Sequence, residues 1–148
     1  NIGIEPKVIL AGRKINDEMS QYIGNEINKK IKKKSNILIL GLSFKEDVPD
    51  TRNSKVIDLV EFFIQNKHKL TLCDPLINEK SILNKKIIKD LSKLEKKLYD
   101  VIILSVNHQY FKKISKERIK SFLNKDGLFA DIRGYWRKNN DFKNYWSL

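Results

Sequence analysis

The sequence predicts an α/β fold: a doubly wound parallel sheet of about five or six strands, preceded by a long helix. Three observations carry that expectation. Wholly apolar runs such as Ile37-Leu38-Ile39-Leu40 and Val101-Ile102-Ile103-Leu104 read as strands covered on both faces, the habit of parallel sheets. The segments between them place apolar residues three and four apart, the helical period. Strand and helix alternate at the pace of βαβ units, so the architecture expected is Rossmann-like.

The first element is a helix predicted over residues 5–33. Pro6 suits its first turn, where a missing N–H costs nothing. Val8, Ala11, Ile15, Met19, Tyr22, Ile23, Ile27 and Ile31 form one stripe along it. At 1.5 Å per residue the helix would be about 43 Å long. A small domain does not cover that length, so part of the stripe is expected to seek a partner. Residues 37–40 form the first strand. A polar loop over 43–53 then leads to a helix capped by Ser54, with Val56, Ile57, Val60, Phe63 and Ile64 inward.

Leu70-Thr71-Leu72-Cys73 is the second strand, stopped by Asp74-Pro75, and Ile87-Ile88 is a short third. Ser92-Lys93-Leu94-Glu95 has the spacing of a capping box opening a short helix. Residues 101–104 are the next strand. Ile114, Ile119, Phe122 and Leu123 mark a helix, and residues 128–132 the last strand. The boundary falls after residue 34, dividing a helical segment, 1–34, from an α/β unit, 35–148.

Composition narrows the function classes. Thirty basic against eighteen acidic residues give a net charge of +12, which raises the question of nucleic acid. Twenty-five of the thirty are Lys, whereas base readout and bidentate phosphate gripping favour Arg. The dense run Lys29, Lys30, Lys32, Lys33 and Lys34 falls at the predicted end of the first helix, where it complements the dipole and stays in water. A solvated lysine surface, with no nucleic-acid partner, is the reading adopted. No apolar run approaches the ~20 residues a membrane span needs, and no signal peptide is visible, so the expected compartment is the cytoplasm. A single Cys and two His 40 residues apart speak against a disulfide framework and a metal centre.

In doubly wound sheets ligands bind beyond the carboxyl ends of the strands. That rule selects loops 43–53, 74–76, 107–110 and 133–137. Gly41-Leu42-Ser43-Phe44 has one glycine where a G-x-G-x-x-G fingerprint needs three, so the usual means of holding NAD is missing there. The first loop instead offers Lys45 and Arg52 among Glu46, Asp47 and Asp50. Two readings stand at this point. A phosphate would meet Lys45, backbone N–H groups and the helix N-terminus at Ser54; or the loop is a charged surface with an internal Asp50–Arg52 pair. Cys73, at the end of a core strand with no His beside it, reads as a buried structural thiol. His68 reads as surface, and His108 as the cap of the following helix.

The stretch Gly41-Leu42-Ser43-Phe44-Lys45-Glu46-Asp47-Val48-Pro49-Asp50-Thr51-Arg52-Asn53-Ser54 resembles the G-L-x-F-K-x-D-x-x-D-x-R-x-S signature of the UDP-glucose/GDP-mannose dehydrogenase family. Ala11-Gly12-Arg13-Lys14-Ile15-Asn16-Asp17 is similar to the A-x-R-x-I-N-D pattern of that family's central helix, in the form closest to the branch oxidising UDP-N-acetylhexosamines. Asp74-Pro75, Asn107-His108 and Asp131-Ile132-Arg133-Gly134 match further family positions. The resemblance implies a UDP-sugar-binding unit of a 6-dehydrogenase. Lys45 would reach the phosphate or sugar, Phe44 would lie against the ligand, and Arg133 would add a cation. Arg13 would be offered from the helix to an active site, that of a partner subunit included, and Asp50 and Arg52 would shape the loop. The catalytic cysteine and the NAD-binding domain would precede Asn1, making this chain a fragment inactive alone, and the 5–33 helix would form a homodimer. The alternative is a non-enzymatic nucleotide- or polyanion-binding or assembly module on the same fold.

Overall fold

The computed structural model describes residues 7–94 and 98–148, without the side chains of residues 7–13, 16 and 17. Pro6 and Glu95, and the side chains of Val8, Ala11 and Arg13, lie outside the described residues. The elements are α1 (Lys7–Asn28), β1 (Asn36–Leu40), α2 (Lys55–Gln65), β2 (Lys69–Cys73), β3 (Ser81–Ile82), β4 (Lys85–Ile88), β5 (Tyr99–Leu104), α3 (Gln109–Lys112), α4 (Lys116–Lys120), β6 (Leu123–Asp131) and β7 (Asn144–Ser147). They build a seven-stranded sheet in the order β3-β4-β2-β1-β5-β6-β7. Every neighbouring pair is parallel except the β3–β4 hairpin, whose two-residue turn holds Leu83 and Asn84 at positive φ.

The alternation of side chains divides the buried strands between two cores. Ile37 and Ile39 of β1, Val101 and Ile103 of β5, and Leu128 and Ala130 of β6 face one side, against Ile23, Ile27, Leu59, Val60, Phe62 and Phe63. Leu38, Leu40, Ile102, Leu104 and Phe129 face the other, against Leu91, Phe111, Ile119, Phe122 and Phe142. Helices α1 and α2 thus cover one face, and the shorter helices with the 132–143 segment cover the other. Phe129 and Phe142 stack there with ring centres 4.2 Å apart.

Several expectations change. The sheet has seven strands rather than five or six: β3 and β7 are additional, and the strand expected at 128–132 is β6, which runs from Leu123 to Asp131. The helix ends at Asn28, so the lysine run follows it rather than completing its last turn. Its stripe also divides. Ile23 and Ile27 are 5% and 0% exposed in this chain's own core, while Ile15 and Tyr22 are 62% and 54% exposed. The helix expected around 114–123 shortens to α4, capped by Ser115, which accepts from the Arg118 N–H; α3 precedes it and Leu123 opens β6. The capping box at Ser92 is replaced by a single 3-10 turn, Leu91–Lys93, capped by Asp90.

His68 is not a surface residue. It is 6% exposed, and its Nδ1 accepts from the Ser35 N–H at 3.1 Å while Nε2 meets Asn28 Oδ1 at 2.9 Å. With Nδ1 accepting, Nε2 carries the proton and donates. Burial lowers its pKa, so the neutral ring joins the end of α1 to the start of β1. Among the described residues no helix is long and apolar enough to cross a membrane.

Gly41 closes β1 with φ +83, and a Cβ there would overlap the backbone of Val106. Gly134 also has positive φ, but its Cβ would meet only the flexible Arg137 side chain. Gly134→Ala is expected to cost about 1–2 kcal/mol, the left-handed penalty alone. Gly41→Ala should cost clearly more, because backbone must move. Urea unfolding of both variants checks this; equal losses would contradict the close approach of the β1 and β5 loops.

Candidate functional site

The chain builds the sheet outward from β1 through β2 and β4, then returns to the other flank of β1 with β5 and β6. The winding reverses between β1 and β5, and the loops leaving their carboxyl ends diverge. A pocket of about 230 Å³ opens there. Ser43 and Phe44 line it from the β1 loop, Ser54, Lys55 and Val56 from the start of α2, Ser105 and Val106 from beyond β5, and Arg133 from beyond β6, with Met19 and Ile23 of α1 as an apolar wall.

The sequence-predicted binding residues converge here in part. Phe44 lines the pocket and is 54% exposed, so its ring face is open to a molecule in the pocket. Arg133 lines it from the opposite side, exposed and in no ion pair with a described residue. Lys45 is exposed beside Phe44, likewise without an ion pair among the described residues, but it is not part of the pocket wall. Arg13 sits on α1, with its side chain outside the described residues.

Asp50 and Arg52 stay within the loop. Asp50 accepts from the Arg52 N–H at 2.9 Å and from its guanidinium at 2.9–3.2 Å. That side chain, then its backbone N–H, holds the Asp50 carboxyl down at about 2. The Phe44 N–H donates to Asp50 O, closing the loop into a compact turn. Ser54 joins its two ends: the hydroxyl donates to Ser43 O and accepts from the Val56 N–H, capping α2 as its sequence position predicts.

A buried polar cluster lies under this loop. Asp74, fully buried, accepts at Oδ2 from the Leu42 N–H at 2.7 Å and at Oδ1 from the Leu76 and Ile77 N–H groups. His108, also fully buried, places Nε2 3.1 Å from Asp74 Oδ2 and 3.2 Å from Ser43 Oγ. Its Nδ1 accepts from the Asp47 N–H at 2.9 Å. Burial pushes the Asp74 carboxyl up, but the hydrogen bonds from His108, Leu42 and Leu76 outweigh it and hold the group below its ordinary value. His108 stands at the N-cap of α3 without capping it through its side chain; Asp47 does so, accepting from the Gln109 N–H. Lys112 pairs with Glu46 at 2.8 Å across the same junction.

Cys73 is buried as expected. Burial, and then Asp74 and Asp90, push its thiol up to about 12, so it is no nucleophile at neutral pH. The residue that sequence reasoning missed is Ser105. Its hydroxyl is buried at the pocket wall with no hydrogen-bond partner among the described residues, leaving it free to donate to or accept from a group in the pocket. A serine just past an apolar strand gave no signal of this. Asp131, another fully buried carboxylate, accepts from the Trp136 N–H and Tyr145 hydroxyl and so fixes the turn that carries Arg133.

The arrangement suits an anionic ligand with a flat, partly apolar moiety. It does not suit a dinucleotide in the usual cradle. The space that glycine opens at Gly41 is filled by Val106, so this glycine serves the contact between two loops rather than a pyrophosphate. Among the described residues no group of three or more His, Cys, Asp or Glu is placed to hold a metal ion.

The chain is 35% identical over 138 residues to the UDP-N-acetyl-D-glucosamine 6-dehydrogenase of Salmonella typhi, covering 89% of this chain and 32% of that protein. It is 36% identical over 141 residues to Protein CapL of Staphylococcus aureus, covering 90% of this chain and again 32% of the other. The chain therefore spans about a third of the length of the curated relatives it matches. The solved structure of a UDP-D-ManNAc dehydrogenase from Pyrococcus horikoshii superposes with a TM-score of 0.78 over 99% of this chain and 34% of that one, at 22% identity, which shows the shared fold. Residues 38–138 match the UDP binding domain of the UDP-glucose/GDP-mannose dehydrogenase family, and the chain belongs to that family.

Proposed function

We propose that this chain supplies the UDP-recognition part of an NAD-dependent nucleotide-sugar 6-dehydrogenase, with a UDP-N-acetylhexosamine as the favoured substrate. The observation that carries this reading is the pocket at the winding reversal, lined by an exposed ring, Phe44, and by Arg133, with Lys45 next to Phe44 in the chain and neither cation in an ion pair with a described residue. A pyrophosphate needs cations and N–H donors, and the first turn of α2 adds donors at the pocket wall. A uracil ring presents a π-face and amide edges, which suit Phe44 and the Ser105 hydroxyl, unpartnered among the described residues. On this reading, oxidation of the sugar C6 alcohol to a carboxylate takes place on residues outside this chain. The relative named as a UDP-N-acetyl-D-glucosamine 6-dehydrogenase supports the choice of sugar class.

The test is calorimetry with UDP, ADP and NAD. UDP should bind in preference to both others, and Lys45→Ala and Arg133→Ala should each weaken it by about 1–3 kcal/mol, the scale of a charge-assisted hydrogen bond. UDP affinity unchanged in both variants would remove the pocket from the reading.

The proposal extends to a homodimer through α1. Ile15 and Tyr22 lie seven residues apart, hence on one face of the helix, and remain exposed once Ile23 and Ile27 have packed inward. They form the part of the stripe available to a second copy, and Arg13 belongs to the same helix. Sedimentation equilibrium across a concentration series should show a dimer for the parent chain and a monomer for Ile15→Glu/Tyr22→Glu. A parent chain that stays monomeric at high concentration would sink this assignment.

A further inference from the structure

Glu46, Asp47 and His108 are not part of the pocket wall, yet they join the recognition loop to α3. The hydrogen-bond pattern around His108 fixes its tautomer. Nδ1 accepts from the Asp47 N–H, so the ring proton resides on Nε2. Ser43 leads to the same assignment independently: its hydroxyl donates to Lys45 O at 2.9 Å and is left to accept from Nε2–H. The single Nε2 proton is therefore shared between Ser43 Oγ and the carboxylate of Asp74. Asp47 itself has φ +57, a left-handed conformation that costs a residue with a Cβ, although Asp enters it more readily than most.

We infer that His108 is a positioning residue for ligand binding. As the neutral Nε2–H tautomer, anchored on Asp74, it holds Asp47 in its left-handed conformation and so fixes the direction in which Phe44 and Lys45 project. It touches no ligand. This rests on the UDP reading for its effect on affinity, but not for its effect on the loop.

The two roles of the ring separate by substitution. In His108→Asn the amide oxygen stands near the place of Nδ1 and can still accept from Asp47. In His108→Gln the amide nitrogen stands near Nε2 and keeps the Asp74 contact, but the Asp47 N–H loses its acceptor. Nitrogen-15 NMR of the parent chain should show His108 as the Nε2–H tautomer at neutral pH. Amide hydrogen exchange at Asp47 should be slow in the parent and in the Asn variant and accelerated in the Gln variant. UDP affinity should fall about three- to tenfold in the Gln variant, the scale of one neutral hydrogen bond, and be largely retained in the Asn variant. An Nδ1–H tautomer in the parent, or equal exchange at Asp47 in the two variants, would overturn the inference. If the parent fails to bind UDP, the functional reading fails, while tautomer and exchange still decide the role of His108.

Discussion

Asp74 accepts four hydrogen bonds from three different segments, and the carboxyl end of the sheet depends on them. Leu42 donates from beyond β1, Leu76 and Ile77 from beyond β2, and His108 from beyond β5. These strands are neighbours, in the order β2-β1-β5, and the loops leaving them would otherwise diverge. A buried carboxylate is costly unless its lone pairs are taken up; here the donors outweigh the burial and keep it ionised. Without it, three backbone N–H groups would lose an acceptor, each worth about 1–3 kcal/mol when buried and unsatisfied.

The consequence is a division of labour within one short loop. Ser43, Glu46 and Asp47 turn toward the protein, binding His108, Lys112 and the Gln109 N–H. Phe44 and Lys45, between Ser43 and Glu46, are exposed as Glu46 and Asp47 are, but their side chains make no hydrogen bond or ion pair with a described residue. The loop's acids thus do more than balance its cations: Asp50 engages Arg52, while Glu46 and Asp47 dock the loop onto α3. Lys45 and Arg133 keep their charge unpaired among the described residues on either side of Phe44 and the pocket. On the proposed reading, a loop docked this way would meet a ligand with little reordering, which is where binding affinity is otherwise lost.

What was legible in the sequence was local. The runs at residues 37–40 and 101–104 became central strands, Ser54 became a cap, and Asp50 paired with Arg52, because each depends on neighbours within a few residues. The 14-residue stretch starting at Gly41 pointed to the family. The two histidines were misread because their burial depends on partners far away in sequence: Asn28 and Ser35 for His68, Ser43, Asp47 and Asp74 for His108. Edge strands were missed for a related reason. β7 needs no apolar run, since Phe129 and its ring cluster supply the packing from the neighbouring strand. The α1 stripe could not be apportioned between core and surface before the sheet that covers Ile23 and Ile27 was in place.

On the proposed reading, the loop from Gly41 to Ser54 and the pocket beside it take up UDP. Amide chemical-shift mapping during a UDP titration decides this. Shifts are expected at residues 43–56, at Ser105 and at Arg133, saturating together. Shifts confined to the lysine-rich hollow lined by Lys30, Lys32, Lys33, Lys34 and Lys125 at the opposite end of β1, abolished by added salt, would contradict it. That outcome would instead make the chain a polyanion-binding module on the same fold.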